Sequence, residues 1–164
     1  MSRVGARAVI SGGRVILASV VDRGFYESLE RNGYIRDGEV DALEAAYQAS
    51  RGRLVVDGKE GWEAALAIIS ESRVDLPLFI VYSDLRRRGL MVWRGARRST
   101  LVARRGGSKP IEVLVLYEGR PFSVGELAEW SRLASGDNHE PVVAVVDRLG
   151  VVTYYSVRAS TILS

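Results

Sequence analysis

The sequence contains no cysteine and only one histidine, His139, among its 164 residues. The absence of cysteine excludes disulfides and thiolate metal sites, and a single histidine excludes a histidine-rich metal centre within one chain. We therefore expect no metal and no other cofactor. Asn, Gln and Met are scarce and arginine far outnumbers lysine, a composition that favours a thermophilic source.

Long apolar runs are also missing. No stretch approaches the roughly 18 consecutive apolar residues that define a candidate membrane-spanning helix. The amino-terminal segment is interrupted by Gly12, Gly13 and Arg14, so it lacks the continuous apolar core of a signal peptide. With 47% hydrophobic and 26% charged residues, the composition is that of a globular protein, and we expect a cytoplasmic location.

Acidic residues are absent from one long segment. Residues 86–109 contain nine of the 23 Lys and Arg residues and none of the 20 Asp and Glu residues. The net charge of +3 therefore conceals a strongly basic segment within an acidic remainder. Such a local field attracts polyanions such as nucleic acid. The alternative is a solvated hairpin in an arginine-rich protein.

The amino-terminal half alternates short strands and helices. Apolar runs around Ser-Gly-Gly and after Gly52 predict three strands, at residues 6–10, 15–18 and 54–56. Asp37 is placed to cap a helix that contains residues 40–47. A further helix over residues 61–72 carries an apolar face that we expect to be buried. Its members are Trp62, Ala65, Leu66 and Ile69.

The carboxy-terminal half predicts a mixed sheet of about five strands with flanking helices. One helix begins near Pro77 and ends at Gly89, and another begins at a capping box, Ser123-Val-Gly-Glu126. The strands are predicted at residues 90–93, 101–103, 111–116, 142–146 and 151–157. We therefore expect an α+β fold in two lobes, with residues 1–74 in a small helical and β lobe and residues 75–164 in the mixed-sheet lobe.

Three segments carry a family resemblance. The helix end Tyr82-Ser-Asp-Leu-Arg-Arg-Arg-Gly89 resembles the Tyr-x-Asp-Leu-Arg-x-Arg-Gly motif of the archaeal tRNA-splicing endonuclease family. Residues 44–54 are similar to the helix of the family's amino-terminal lobe, which leads through glycine into a short strand. Residues 143–155, Val-Ala-Val-Val-Asp followed by Gly-Val-Val-Thr-Tyr-Tyr, resemble its closing pair of strands.

The resemblance implies a restriction-endonuclease-like carboxy-terminal lobe and a complex that cuts precursor tRNA at a bulge–helix–bulge. It also implies a metal-independent reaction. In the family a tyrosine activates the attacking 2′-hydroxyl, a histidine protonates the leaving 5′-oxygen, and a lysine stabilises the phosphorane. Proton transfer needs groups within hydrogen-bond reach of both oxygens, and charge stabilisation needs a fixed cation.

This sequence lacks those three residues at the corresponding positions. With the motif aligned, the tyrosine, histidine and lysine positions fall at residues 104–105, 109–112 and 139–140. No tyrosine or histidine occupies the first two, and the two lysines, Lys59 and Lys109, do not occupy the third. The resemblance therefore implies a structural subunit without catalytic residues, as found in heteromeric members of the family.

Two residues nevertheless suggest an enzymatic alternative. A self-sufficient nuclease would use Tyr117 and His139 together with arginines, because histidine is a common acid–base group. Sliding the alignment to place Tyr117 in the tyrosine role leaves Leu127 at the histidine position. As an acid, His139 would lack an obvious base or cation partner in the sequence. We therefore expect His139 to be a loop residue in front of a buried strand.

A subunit without the triad can still contribute to assembly and to RNA positioning. The resemblance implies pairing with a catalytic subunit in an α2β2 heterotetramer that binds precursor tRNA. The family pairs through its last strand and through an acidic loop that enters a basic cleft of the opposite subunit. The interface candidates on the corresponding loop and strand are Asp147, Arg148, Leu149, Val151, Val152, Tyr154, Tyr155 and Val157.

The arginines of the basic segment have two possible partners. They could bind the RNA phosphate backbone or a splayed-out base, or they could meet the acidic loop of the catalytic subunit. The leading candidates are Arg97, Arg98, Arg104 and Arg105. A stand-alone RNA-binding module and a pure scaffold without RNA affinity also remain open.

Overall fold

The computed structural model describes residues 3–158, which form ten β-strands and five α-helices. The chain divides into two compact units, Met1–Phe79 and Ile80–Ser164. This division lies a few residues after the boundary expected from the sequence. Within residues 3–158, no helix combines the length and the apolar character needed to cross a membrane.

The first unit contains a five-stranded sheet with the strand order β3-β4-β2-β1-β5. Strands β1 and β5 pair in parallel, and the other neighbours are antiparallel. Its elements are β1 (Ala6–Ser11), β2 (Arg14–Val20), α1 (Arg23–Arg31), β3 (Ile35–Arg36), β4 (Glu39–Val40), α2 (Ala42–Ser50), β5 (Leu54–Val56) and α3 (Gly61–Glu71).

The second unit contains a mixed five-stranded sheet with the order β10-β9-β8-β7-β6. Only β8 and β9 are parallel, and α5 supplies the crossover that a parallel pair needs. The division between the units falls within helix α4 (Leu76–Arg87). The elements after it are β6 (Met91–Arg94), β7 (Thr100–Arg104), β8 (Ile111–Tyr117), α5 (Val124–Gly136), β9 (Glu140–Val146) and β10 (Val152–Ser156). The expected α+β fold with a mixed second sheet is confirmed.

Helix α5 illustrates how local sequence signals fix an element of the second unit. Ser123 accepts a hydrogen bond from the backbone of Glu126, whose side chain reciprocates, so the predicted capping box is present. Trp130 and Ala134 on the buried face of α5 pack against Leu114 of β8 and Val143 of β9. The helix therefore covers the parallel pair of strands in the centre of the sheet.

Two sequence-based expectations for the first unit are wrong. Asp37 does not cap a helix, because it lies in the β3–β4 turn with a φ of 53°. The N-cap is Asp41, whose carboxylate accepts from the backbone N–H of Glu44. The turn after β3 and the strand β4 occupy the segment that was assigned to the start of that helix. Strands of two residues leave no periodic pattern in the sequence.

The expected buried face of α3 is also partly wrong. Trp62 and Leu66 are 57% and 55% exposed. The helix instead buries Ala64, Ala65 and Ile68, and it packs against α2, whose own buried residues include three alanines. Small residues on both helices permit this close approach, so the larger side chains are left on the opposite side of α3.

Candidate functional site

The positions that the resemblance assigns to the catalytic triad are neighbours in the second sheet. Ala103 of β7 lies opposite Ile111 of β8, and Ile111 lies opposite Glu140 of β9. Residues 104–105, 109–112 and 139–140 therefore meet at one end of three adjacent strands. The fold brings together the three positions, but the side chains there are not those of the triad.

Glu112 is the centre of a buried polar network at this end of the sheet. Its side chain is only 2% exposed. One oxygen accepts from Nε1 of Trp130 at 2.7 Å, and both oxygens accept from Nη1 of Arg97, at 2.8 and 3.0 Å. Nδ1 of His139 lies 2.9 Å from Oε1. A buried carboxylate needs such partners, because burial of an unpaired charge is costly.

Arg97 is held by this network rather than extended into solvent. Its second terminal nitrogen lies 2.6 Å from Oδ2 of Asp137, and its side chain is 25% exposed. The carboxylates of Asp137 and Glu112 raise the pKa of the guanidinium above its ordinary value. The proposed RNA contact of Arg97 therefore competes with two ion pairs that already engage its guanidinium.

His139 has the partners that the sequence did not reveal. It lies directly before β9, and its backbone N–H donates to the carbonyl of Ala134 at 2.9 Å, which anchors it to the end of α5. Both oxygens of Glu112 accept from N–H groups, so Nδ1 of His139 is the donor in this pair. The expectation that His139 lacks a charged partner is wrong, because Glu112 pairs with its ring. The sequence did not reveal this pair, since the two residues are 27 positions apart.

Glu112, Asp137 and His139 also have the donor types of a metal site. One donor atom of each lies within 4.8 Å of the others. However, the Arg97 guanidinium is bound to both carboxylates and supplies the positive charge that a metal ion would bring. We therefore interpret the cluster as an ion-pair network.

An open cleft of about 590 Å³ lies beside His139. It is lined by residues from the turn before β8, from the end of α5, from the start of β9 and from the segment after β10. The polar lining residues are Lys109, Ser135, His139, Glu140, Ser156 and Arg158.

Tyr117 is far from this end of the sheet. It pairs with Val146 at the end of β8, whereas Ile111 at the start of β8 pairs with Glu140, the neighbour of His139. A strand of seven residues separates its ends by roughly 20 Å. Tyr117 and His139 therefore do not meet in one site within this chain, and the predicted pairing of these two residues is wrong.

The other three arginine candidates are exposed. Arg98 lies in the β6–β7 turn, Arg104 ends β7, and Arg105 follows it. Arg105 donates to the carbonyl of Arg88 at 2.7 Å, which directs one of its nitrogens towards the end of α4. Within residues 3–158, the side chains of Arg98 and Arg104 form no hydrogen bond or ion pair, so their charges remain available to a partner.

Asp84 and Arg88 of the family motif have a structural role. The Asp84 carboxylate accepts from the hydroxyl of Tyr154 at 2.6 Å and from Nε of Arg88 at 2.9 Å. The Arg88 guanidinium also lies 5.3 Å from the centre of the Tyr154 ring. Burial, together with the hydrogen bond to Asp84, raises the pKa of Tyr154 above its ordinary value. The motif therefore ties the end of α4 to β10.

The interface candidates on β10 and its preceding loop differ in exposure. Leu149, Val151 and Tyr155 are 89%, 57% and 55% exposed, and β10 is an edge strand of the sheet. Tyr154 faces Asp84 instead. Asp147 accepts from the backbone N–H groups of Leu149 and Val151 at 2.8 and 2.9 Å, so its carboxylate shapes its own loop.

Comparisons with known proteins cover both units. Residues 3–71 match the family model of the tRNA-intron endonuclease SEN2-like N-terminal domain, and residues 76–154 match that of the tRNA intron endonuclease catalytic C-terminal domain. A tRNA-splicing endonuclease of Thermococcus kodakarensis is 34% identical over 123 residues, which cover 70% of this chain and 73% of that protein.

Two further relatives differ in coverage. A tRNA-splicing endonuclease of Methanosarcina mazei is 30% identical over 162 residues, which cover 93% of this chain but only 44% of that protein. The chain thus spans less than half the length of that relative. An EndA-like protein of Methanopyrus kandleri is 39% identical over 79 residues, 47% of this chain and 48% of that protein.

Proposed function

Because the chain belongs to the tRNA-intron endonuclease family, we propose that it is a non-catalytic, structural subunit of a tRNA-splicing endonuclease. The observation that carries this proposal is the content of the three triad positions. They hold Arg104 and Arg105, residues 109–112, and His139 with Glu140. A proton acceptor, a proton donor and a fixed ammonium cannot all be supplied by these groups in the required order.

The environment of His139 supports the same reading. It occupies the lysine position, and its Nδ1 is bound to Glu112. One imidazole can donate or accept a proton, but it cannot replace the tyrosine, the histidine and the lysine together. Arg97, the nearest cation of the network, is already paired with Glu112 and Asp137.

The first contribution of such a subunit is assembly with a catalytic subunit, in an α2β2 heterotetramer. Within residues 3–158, β10 has a neighbouring strand on one side only, so its other edge can pair with a second chain, and the exposed Val151 and Tyr155 can pack against that chain. Leu149 at the tip of the preceding loop is 89% exposed and can enter a cleft of the partner. The charge of this loop is mixed, since Asp147 is followed by Arg148.

The second contribution is the positioning of precursor tRNA. Arg98, Arg104 and Arg105 are exposed and can contact the phosphate backbone, with selectivity supplied by the shape of the bulge–helix–bulge. Replacement of all three by Ser is expected to lower RNA affinity and to reduce the slope of affinity against salt. If the RNA affinity and its salt slope do not change, these arginines do not bind RNA, and the acidic loop of the partner subunit becomes their expected contact.

The proposal is tested by reconstitution. The chain is mixed with a separately purified family member from the same organism that carries the full triad, and the mass of the complex is measured by light scattering. Cleavage of a bulge–helix–bulge precursor is then assayed. The expected result is one heteromeric complex that cuts at both junctions. A mixture that stays dissociated, or cleavage that is unaffected by this chain, would contradict the proposed role.

A stand-alone RNA-binding module is the second candidate, and the exposed arginines favour it. It predicts RNA affinity that is the same with and without the catalytic family member. The structural-subunit proposal predicts tighter RNA binding by the complex, because two sets of contacts then act on one substrate.

A further inference from the structure

The cleft beside His139 is lined by two cationic side chains from separate parts of the second unit. Lys109 lies before β8, and Arg158 follows β10. Glu140 is the one acidic residue among the polar lining residues, and the hydroxyls of Ser135 and Ser156 complete the polar surface. Two cations and two hydroxyl groups around an open cleft favour an anionic ligand with several oxygen atoms.

His139 presents a defined ring edge in this cleft. Its Nδ1 is fixed as the donor to Glu112 at 2.9 Å, since both carboxylate oxygens already accept from Arg97 and Trp130. Within residues 3–158, Nε2 has no hydrogen-bond partner. Nε2 therefore accepts a hydrogen bond when the ring is neutral and donates one to an anion when the ring is charged.

The two carboxylates nearest to the imidazole, those of Glu112 and Asp137, are both paired with a cation. The Glu112 carboxylate is buried, and the carboxylates of Glu112 and Asp137 share the Arg97 guanidinium. Glu112 acts here as a positioning residue, because it holds the imidazole and does not line the cleft. Lys109 and Arg158, in contrast, are both lining residues of the cleft.

From this geometry we propose that the cleft is a binding site for a phosphate group of RNA, held by Lys109, Arg158 and Nε2 of His139. A volume of about 590 Å³ lies in the range of small-molecule sites, about 300–1,000 Å³, so a nucleotide fits together with its phosphate. This inference rests on the proposed RNA-positioning role and deepens it. The site binds the phosphate without cutting, using residues that differ from the family triad.

The single histidine provides a direct measurement. The imidazole signals of His139 in the full chain are recorded by NMR at fixed pH while inorganic phosphate, uridine 3′-monophosphate or uridine is added at millimolar concentration. We expect 3′-UMP and phosphate to shift the His139 signals, 3′-UMP more strongly, and uridine to leave them unchanged. Absence of a shift with 3′-UMP would overturn the proposal, as would an equal shift with uridine. A response to phosphate alone would exclude RNA as the source of the phosphate.

The chain offers a matched control, because it has only two lysines. Lys109→Gln and Arg158→Gln are each expected to weaken 3′-UMP binding about five- to tenfold, the effect of losing one charge-assisted contact. Lys59→Gln removes the same charge from an exposed position in the first unit and is expected to change nothing. Equal effects of Lys59→Gln and Lys109→Gln would show attraction by net charge and overturn the site.

This test separates the two proposals. Backbone amide spectra of each variant establish that it is folded before binding is compared. If 3′-UMP does not bind but the reconstituted complex still assembles and cuts, the phosphate site is wrong and the structural-subunit role stands. If the complex does not form but 3′-UMP binds at His139, the reverse conclusion follows.

Discussion

Two carboxylates of the second unit have similar partners and very different surroundings. Asp84 accepts from Arg88 and from the hydroxyl of Tyr154, and Glu112 accepts from Arg97 and from the indole of Trp130. The Asp84 side chain is 24% exposed, whereas that of Glu112 is 2% exposed. The first joins a helix end to an edge strand, and the second lies where the parallel strands β8 and β9 begin.

A buried carboxylate depends on its partners far more than a partly exposed one does. The Asp84 pair belongs to the motif through which the resemblance was found. The Glu112 network joins His139, which lies directly before β9, to Arg97 of the β6–β7 turn. The buried carboxylate thus links a turn, a helix and the start of a strand through side-chain contacts. This arrangement stabilises that end of the sheet, because the buried charge is fully partnered.

The largest expected effect contrasts the two carboxylates directly. Glu112→Ala leaves Trp130 and His139 without their acceptor in a buried site, so we expect a loss of about 3–5 kcal/mol in the free energy of unfolding. Asp84→Ala removes one hydrogen bond and one exposed pair, for which we expect about 1–2 kcal/mol. Both are measured by urea denaturation. Equal losses would show that burial does not distinguish the two carboxylates.

A smaller loss of stability is expected when two neighbouring arginines of the basic segment are compared. Arg97→Ala removes the cation shared by Glu112 and Asp137, and we expect a loss of about 2–3 kcal/mol. Arg98→Ala is the matched control on the next residue, which is exposed, and its effect should stay within about 0.5 kcal/mol. The same denaturation experiment compares them. A neutral Arg97→Ala would return Arg97 to the RNA-binding candidates.

The smallest effect concerns Tyr154 and pH. Tyr154→Phe removes the hydrogen bond to Asp84, so we expect a loss of about 1 kcal/mol near neutral pH. Because the folded-state pKa of Tyr154 is raised, the contribution of its hydroxyl is complete below the ordinary tyrosine pKa of about 10. It is lost as the pH rises through the folded-state value.

Tyr155→Phe is the control for this pH dependence, since Tyr155 is 55% exposed on the same strand. The stability difference between the unmodified chain and Tyr154→Phe should narrow above pH ~10, while that of Tyr155→Phe should stay small throughout. A difference for Tyr154→Phe that stays constant up to strongly alkaline pH would contradict the role assigned to its hydroxyl.

Much of the fold was predictable because its signals are local. The capping box at Ser123, the Asp84–Arg88 pair and the hairpin through Gly12 and Gly13 all lie within a few residues of chain. Short strands such as β3 have no such signal, and the burial of Trp62 was misjudged because helix periodicity does not reveal which face the neighbouring helix α2 will cover.

The polar network was not predictable from local pattern for the opposite reason. Glu112 is separated from Arg97, Trp130 and His139 by 15, 18 and 27 residues. The available signal was a single acid inside the apolar run Ile111–Tyr117, because a charged residue there must be paired when it is buried. The family itself, by contrast, could be predicted from the short motif at residues 82–89 together with two further segments.

The most direct test of the account is cleavage by this chain alone. A bulge–helix–bulge precursor is incubated with an excess of the purified chain under single-turnover conditions, beside its His139→Ala variant. We expect that neither protein cuts above the background rate, and that cleavage begins only when the triad-bearing subunit is added. Cutting at the correct junctions by the unmodified chain, lost in His139→Ala, would contradict it.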